Sequence, residues 1–194
     1  MAQFRPYKEN IKVNPSLLKP YADAEIRGRE KRLEIFNRYG LTFDHNDKYC
    51  PLEQVLQCFE AIHNELGEMN LFLIGRLVMK NTPFQCKNFK DAIEQLNVLY
   101  HINHTINDIP MYNPHTRTFM EGIGEYKVIE FNEEQKKLIV FANTHFSSKS
   151  DEGAIVGLLE NFLPPNSKRI NISIDTTKER RTLGADSCTY IITW

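Results

Sequence analysis

Apolar positions along this chain recur first with the period of a helix and then with that of a strand, and the change falls near Gly124. The clearest helical stretch runs from Asn88 to Thr105. Phe89, Ala92, Ile93, Leu96, Leu99 and Tyr100 form one stripe, Asn88 stands as an N-cap, and Asp91 sits in the first turn, where a negative charge suits the helix dipole. Turning by about 100° per residue, His104 falls beside that stripe if the helix reaches it, and His101 falls at its border. Val98 and Ile102 point the other way. The C-terminal half is thus apolar nearly all round, a pattern of burial, so both histidines border an interior.

The other elements follow the same grammar. Residues 1 to 15, with Pro6 and Pro15, read as an arm ahead of one domain covering 16 to 194. Ser16 to Tyr39 is helical, and Arg27, Arg29, Lys31, Arg32 and Arg38 alternate with Glu25, Glu30 and Glu34 as a solvated face held by i,i+4 pairs. Gly40 ends it as C′. Pro51 opens a second amphipathic helix carrying Leu52, Val55, Leu56, Phe59, Ile62 and Leu66, which Gly67 stops. Met69 to Met79 is apolar on almost every side and reads as a buried helix, with Gly75 admitting a close neighbour or a ligand. Asn81-Thr-Pro-Phe84 breaks the chain before the histidine helix, which closes a helical part spanning 16 to 105. Residues 106 to 124 form a long irregular loop with Pro110, Pro114, His115 and Arg117.

From 125 to 194 the pattern spells ββαββ. Glu125–Phe131 and Lys136–Ala142 make a hairpin, a helix runs from about Asp151 to Leu163 with Gly153 and Gly157 on one side, and Arg169–Asp175 and Ser187–Trp194 supply two more strands. The expected architecture is α+β: a helical N-terminal layer packed on one four-stranded antiparallel sheet.

Composition narrows the function classes. The 194 residues are 41% hydrophobic and 11% aromatic, enough for a sizeable core. A net charge of −1 and a pI near 6.6 leave no electrostatic footprint for nucleic acid or an anionic membrane. Cys50, Cys58, Cys86 and Cys188 show no Cys-x-x-Cys spacing, the N-terminus lacks the apolar run of a signal peptide, and no segment is long and apolar enough to span a bilayer. A reduced, cytoplasmic chain is the expectation.

A buried imidazole needs a hydrogen bond, a metal or the iron of a haem. His101 and His104 stand one turn apart, a usable metal spacing, but without the glutamate of His-Glu-x-x-His. Zinc held by His101, His104 and His115, with Cys188 as a further donor, is one reading; two satisfied core histidines is the bland one. His45, between Asp44 and Asp47, reads as part of an exposed polar loop. No phosphate loop, nucleophile elbow or paired carboxylates in an apolar setting announce an enzyme.

Three segments resemble a known superfamily. Leu99-Tyr-His-Ile-Asn-His104, Gly122-Ile-Gly-Glu-Tyr126 and Gly184-Ala-Asp-Ser-Cys-Thr-Tyr-Ile-Ile-Thr-Trp194 are similar to stand-alone prokaryotic members of the haem-NO/oxygen binding (H-NOX) and vinyl-reductase-like superfamily, over roughly Tyr49 to Trp194. The resemblance implies a non-catalytic sensor that holds haem or another apolar small molecule between helices and sheet. It makes His101 the best match to the proximal iron ligand and His104 the second, with Tyr100 lining the pocket. The family's Tyr-x-Ser-x-Arg propionate anchor falls here on Phe141, Asn143 and His145, all changed, so His145, Lys149 or Arg117 would have to meet the propionates. The same resemblance implies a signalling partner and a homodimer, and it includes haem-free adaptors with a filled core.

Overall fold

The computed structural model describes residues 3–43, 49–83, 86, 88–164, 167 and 169–194, so His45 with Asp44 and Asp47 lies outside the described residues. Six α-helices are described: α1 (Lys19–Asp23), α2 (Arg29–Arg38), α3 (Leu52–Leu66), α4 (Glu68–Asn81), α5 (Phe89–Ile102) and α6 (Ser148–Glu160). Four strands, β7 (Tyr126–Asn132), β8 (Lys137–Ala142), β9 (Asn171–Ile174) and β10 (Cys188–Thr193), form an antiparallel sheet in the order β7-β8-β10-β9. The ββαββ half is therefore present, and the fold is α+β.

Differences from the pattern expected of the sequence have local causes. Within the stretch expected as an arm, β1 (Ile11–Val13) is a strand with Ile11 and Val13 buried, set between β2 (Cys50–Pro51) and β3 (His104–Ile106) in a second small sheet that β4 (Ile109–Pro110) completes. The long loop also holds a hairpin of β5 (Tyr112–Asn113) and β6 (Thr118–Phe119). The helix expected over 16–39 is broken. Ala24 is extended, Gly28 takes φ 84°, and Arg32, expected on a solvated face, is fully buried, its guanidinium donating to the carbonyls of Ala24, Ile26 and Arg27 and lying 4.8 Å from the Tyr21 ring. A guanidinium gathers three loose carbonyls in this way because its donors form a fixed fork. Met69 is 61% exposed, so α4 is buried on one face only, through Leu71, Ile74 and Gly75.

That face meets α6 backbone to backbone. A Cβ on Gly75 would overlap the Ser150 carbonyl oxygen, one on Gly153 the Phe72 oxygen, and one on Gly157 the Arg76 oxygen. Gly75 thus serves close helix packing, which glycine alone permits. Gly153→Ala is expected to destabilise the protein by about 3 kcal/mol, the upper end of an overpacking penalty, because backbone rather than a flexible side chain would have to yield; denaturant unfolding measures it.

At the far end of the molecule, Trp194 packs on Phe89 at 4.5 Å and on Phe131 at 5.9 Å between ring centroids, fastening the start of α5 to the sheet. This clamp and the α4–α6 contact position the C-terminal end of α5, where the histidines lie.

Candidate ligand-binding site

Asn88 caps α5 as expected, its side chain accepting from the Asp91 amide at 2.9 Å. The helix ends at Ile102, which places His101 in its last turn and His104 at the first position of β3. Both rings are withdrawn from solvent, with His101 3% and His104 1% exposed. Each is fixed by the same bond. His101 Nδ1–H donates to the Asn97 carbonyl at 2.9 Å, and His104 Nδ1–H donates to the Tyr100 carbonyl at 2.6 Å. A carbonyl only accepts, so in the neutral ring Nδ1 holds the proton and Nε2 the lone pair.

The two histidines differ in their surroundings. His104 forms part of the wall of a cavity of about 80 Å³ between α3, α4, α5 and α6, together with Val55, Phe59, Ile74, Gly75, Leu99 and Phe146. Its Nε2 is the only buried side-chain nitrogen or oxygen without a hydrogen-bond partner among the described wall residues. His101 does not reach this cavity; its ring stands 4.8 Å from Phe119 of the hairpin. Burial, with His101 nearby, pushes the His104 pKa down to about 4 against the opposing Tyr100 carbonyl, so the ring is neutral at physiological pH.

The described cavity wall has one charged side chain, Asp151 on α6, and that carboxylate is fully engaged. Arg181 Nη1 donates to it at 2.7 Å, the Tyr126 hydroxyl at 2.6 Å, and the Thr144 hydroxyl at 2.9 and 2.8 Å to its two oxygens. Arg181 also donates to the Ala142 and Asp186 carbonyls. Burial raises the Asp151 pKa while Arg181 opposes the rise. Nothing in the sequence marked this pair: Arg181 lies in a polar run that reads as surface, and Asp151 reads as the start of a helix that in fact begins at Ser148.

The remaining expected residues lie apart. Phe141 shares the outer face of β8 with Lys137 and Ile139, because the core side of that strand is Leu138, Val140 and Ala142. Asn143 Oδ1 accepts from the Glu125 amide at 2.7 Å. His145, 1% exposed, accepts from the Tyr7 amide on Nδ1 at 3.1 Å, which leaves its proton on a partnerless Nε2. Burial and then the neighbouring His104 push its pKa down to about 3, so the weak cation expected at this position is a neutral donor. Lys149 is paired with Glu152 at 2.8 Å, and Arg117 is exposed in the hairpin turn. His115 is exposed on that hairpin, Cys188 Sγ lies 3.1 Å from Ser148 Oγ, and no group of three His, Cys, Asp or Glu among the described residues is placed to hold a metal.

No family model matches the chain, and no curated protein matches it. Its backbone resembles solved haem domains. It aligns with a TM-score of 0.58 and 13% identity, over 93% of this chain and 97% of the other, to a haem protein in which protein-induced porphyrin distortion modulates redox potential. It aligns at 0.54 and 14%, over 93% and 97%, to the H-NOX domain from Shewanella oneidensis in the Fe(II)CO state, and at 0.56 and 13%, over 92% and 90%, to a phenylalanine-to-leucine variant of Tt H-NOX. The chain therefore shares the H-NOX fold.

Proposed function

We propose that this H-NOX-fold chain is a non-catalytic sensor domain that holds a small molecule in the cavity walled by His104. The observation that carries the reading is the partnerless Nε2 of a 1% exposed imidazole in an apolar wall. Leaving such an atom unmatched costs about 1–3 kcal/mol, which a ligand that engages it returns.

Haem is the second reading, favoured by one further detail. An imidazole that donates Nδ1–H to a carbonyl and offers Nε2 is oriented as metal-bound histidines are; His101 shares that bond, but only His104 lines the cavity, so iron there would be taken by His104. The residues suit the iron and not the rest of the group. A cavity of about 80 Å³ is well below the roughly 300–1,000 Å³ of pockets for drug-sized ligands, and no cationic side chain stands in its described wall to meet a propionate. Protein produced with haem supplied tests this: a Soret band lost in His104→Ala and kept in His101→Ala supports haem at His104. A colourless wild type removes haem and leaves the small-molecule reading. In either case the output surface is the apolar group Ile102, Ile109, Phe119 and Met120, exposed around the end of α5, where a signalling partner or a second copy would sense movement of that end.

A further inference from the structure

Resting on the reading that this cavity holds the ligand, its chemistry narrows the ligand class. Apart from His104, the described wall is aliphatic and aromatic except for groups that each hold a bond elsewhere: Tyr126 and Asp151 with each other, Tyr100 with the Ile123 carbonyl, Ser150 with the Ser147 hydroxyl, Thr82 with the Val78 carbonyl, and the half-buried Asn14 and Asn103 through one amide atom each, with the Ser16 amide and the Leu99 carbonyl. His104 Nε2 can only accept, because its ring proton is committed to the Tyr100 carbonyl. A second polar group on the ligand would find no free buried partner in the described wall, and an anion would find no cation there. The volume, about 80 Å³, is near half of the roughly 150 Å³ apolar cavity that takes benzene, which sets a five-membered ring as the upper bound on the body.

We infer that the native ligand is a small, neutral, apolar molecule with a single N–H or O–H donor, bound by donation to His104 Nε2. A porphyrin dicarboxylate falls outside this class in size and in charge.

Pyrrole and furan are matched probes, since the two rings differ at one position in having or lacking the donor. Titration of each into labelled protein at pH 7, followed by NMR of the cavity methyl groups, is expected to give pyrrole an affinity about fivefold above furan, the worth of one neutral hydrogen bond. In His104→Leu the two affinities should converge, and continued furan binding shows that the variant is folded. Equal affinities in the wild-type protein overturn the donor rule while leaving the cavity as the ligand site. If neither probe moves the Val55, Ile74 and Leu99 signals, the site itself is wrong and both readings fall. A haem-loaded wild-type protein with a Soret band overturns the size limit.

Discussion

Arg181→Met should cost the fold about 3–5 kcal/mol, the largest loss expected from a single side chain here, because it leaves the Asp151 carboxylate buried and unpaired. The two side chains are each 1% exposed, and their 2.7 Å contact is the only ion pair that the carboxylate has among the described residues. Tyr126 and Thr144 would still donate to Asp151, which tempers the loss without removing the charge. Replacing Tyr126 with Phe removes one charge-assisted bond and should cost about 2 kcal/mol. Urea unfolding of both variants measures the difference. Equal and small losses would mean that water or a relocated proton already relieves Asp151 in the native protein.

Stability is expected to fall as the pH drops from about 6.5 towards 4, before ordinary carboxylates titrate. The sign follows from three buried histidines, His101, His104 and His145, whose pKa values burial lowers. Folded His104 is held near 4 and His145 near 3, whereas both titrate near 6.5 once unfolded, so in this window the unfolded chain binds more protons and acid favours it. Their stabilisation is complete above 6.5 and is lost as the pH falls through the folded values. His104 alone contributes about 3 kcal/mol, taking roughly 1.4 kcal/mol for each tenfold loss of proton affinity on folding. The raised Asp151 carboxyl works in the opposite direction and offsets part of this. Glu34 and Glu65, held low by hydrogen bonds from Lys31 and Arg38, act only below their ordinary 4.5. Denaturant midpoints across the range should slope upward with pH, and His104→Phe should remove about a third of the slope, His101 and His145 supplying the rest. Identical midpoints at pH 7 and pH 4.5 would mean that these rings are not buried and neutral.

Much of this architecture was legible from periodicity. The Phe89 to Tyr100 stripe, the Asn88 cap and the ββαββ order all follow from one-dimensional patterns, and the structure holds them within a few residues. Depth along α5 was less legible. Helical spacing puts His101 and His104 on neighbouring faces, but the helix stops at Ile102, and the strand geometry of β3 brings His104 into the cavity wall while Phe119 of the hairpin covers His101. Spacing could not reveal a chain reversal that depends on the pairing of β1 with β3, such as Ile11 with Ile106, which stand far apart in the sequence. Arg32 and Arg181 escaped for a related reason. An arginine among other charged residues, as Arg32 and Arg181 both are, reads as surface, and only the tertiary fold shows that carbonyls and a carboxylate await it. Phe141, Asn143 and His145 would share one face only for as long as their strand lasted. It ends at Ala142, so Phe141 stays on the outer face of the sheet while His145 turns into the interior, and the three do not share one strand face.

The most direct test reads the ring nitrogens of His104 by long-range proton–nitrogen NMR at pH 7, free and with pyrrole added. The account predicts a protonated Nδ1 and a bare Nε2 in the free protein, with the Nε2 resonance moving on addition while the His101 nitrogens stay in place. A proton found on His104 Nε2, or a resonance change confined to His101, would contradict it.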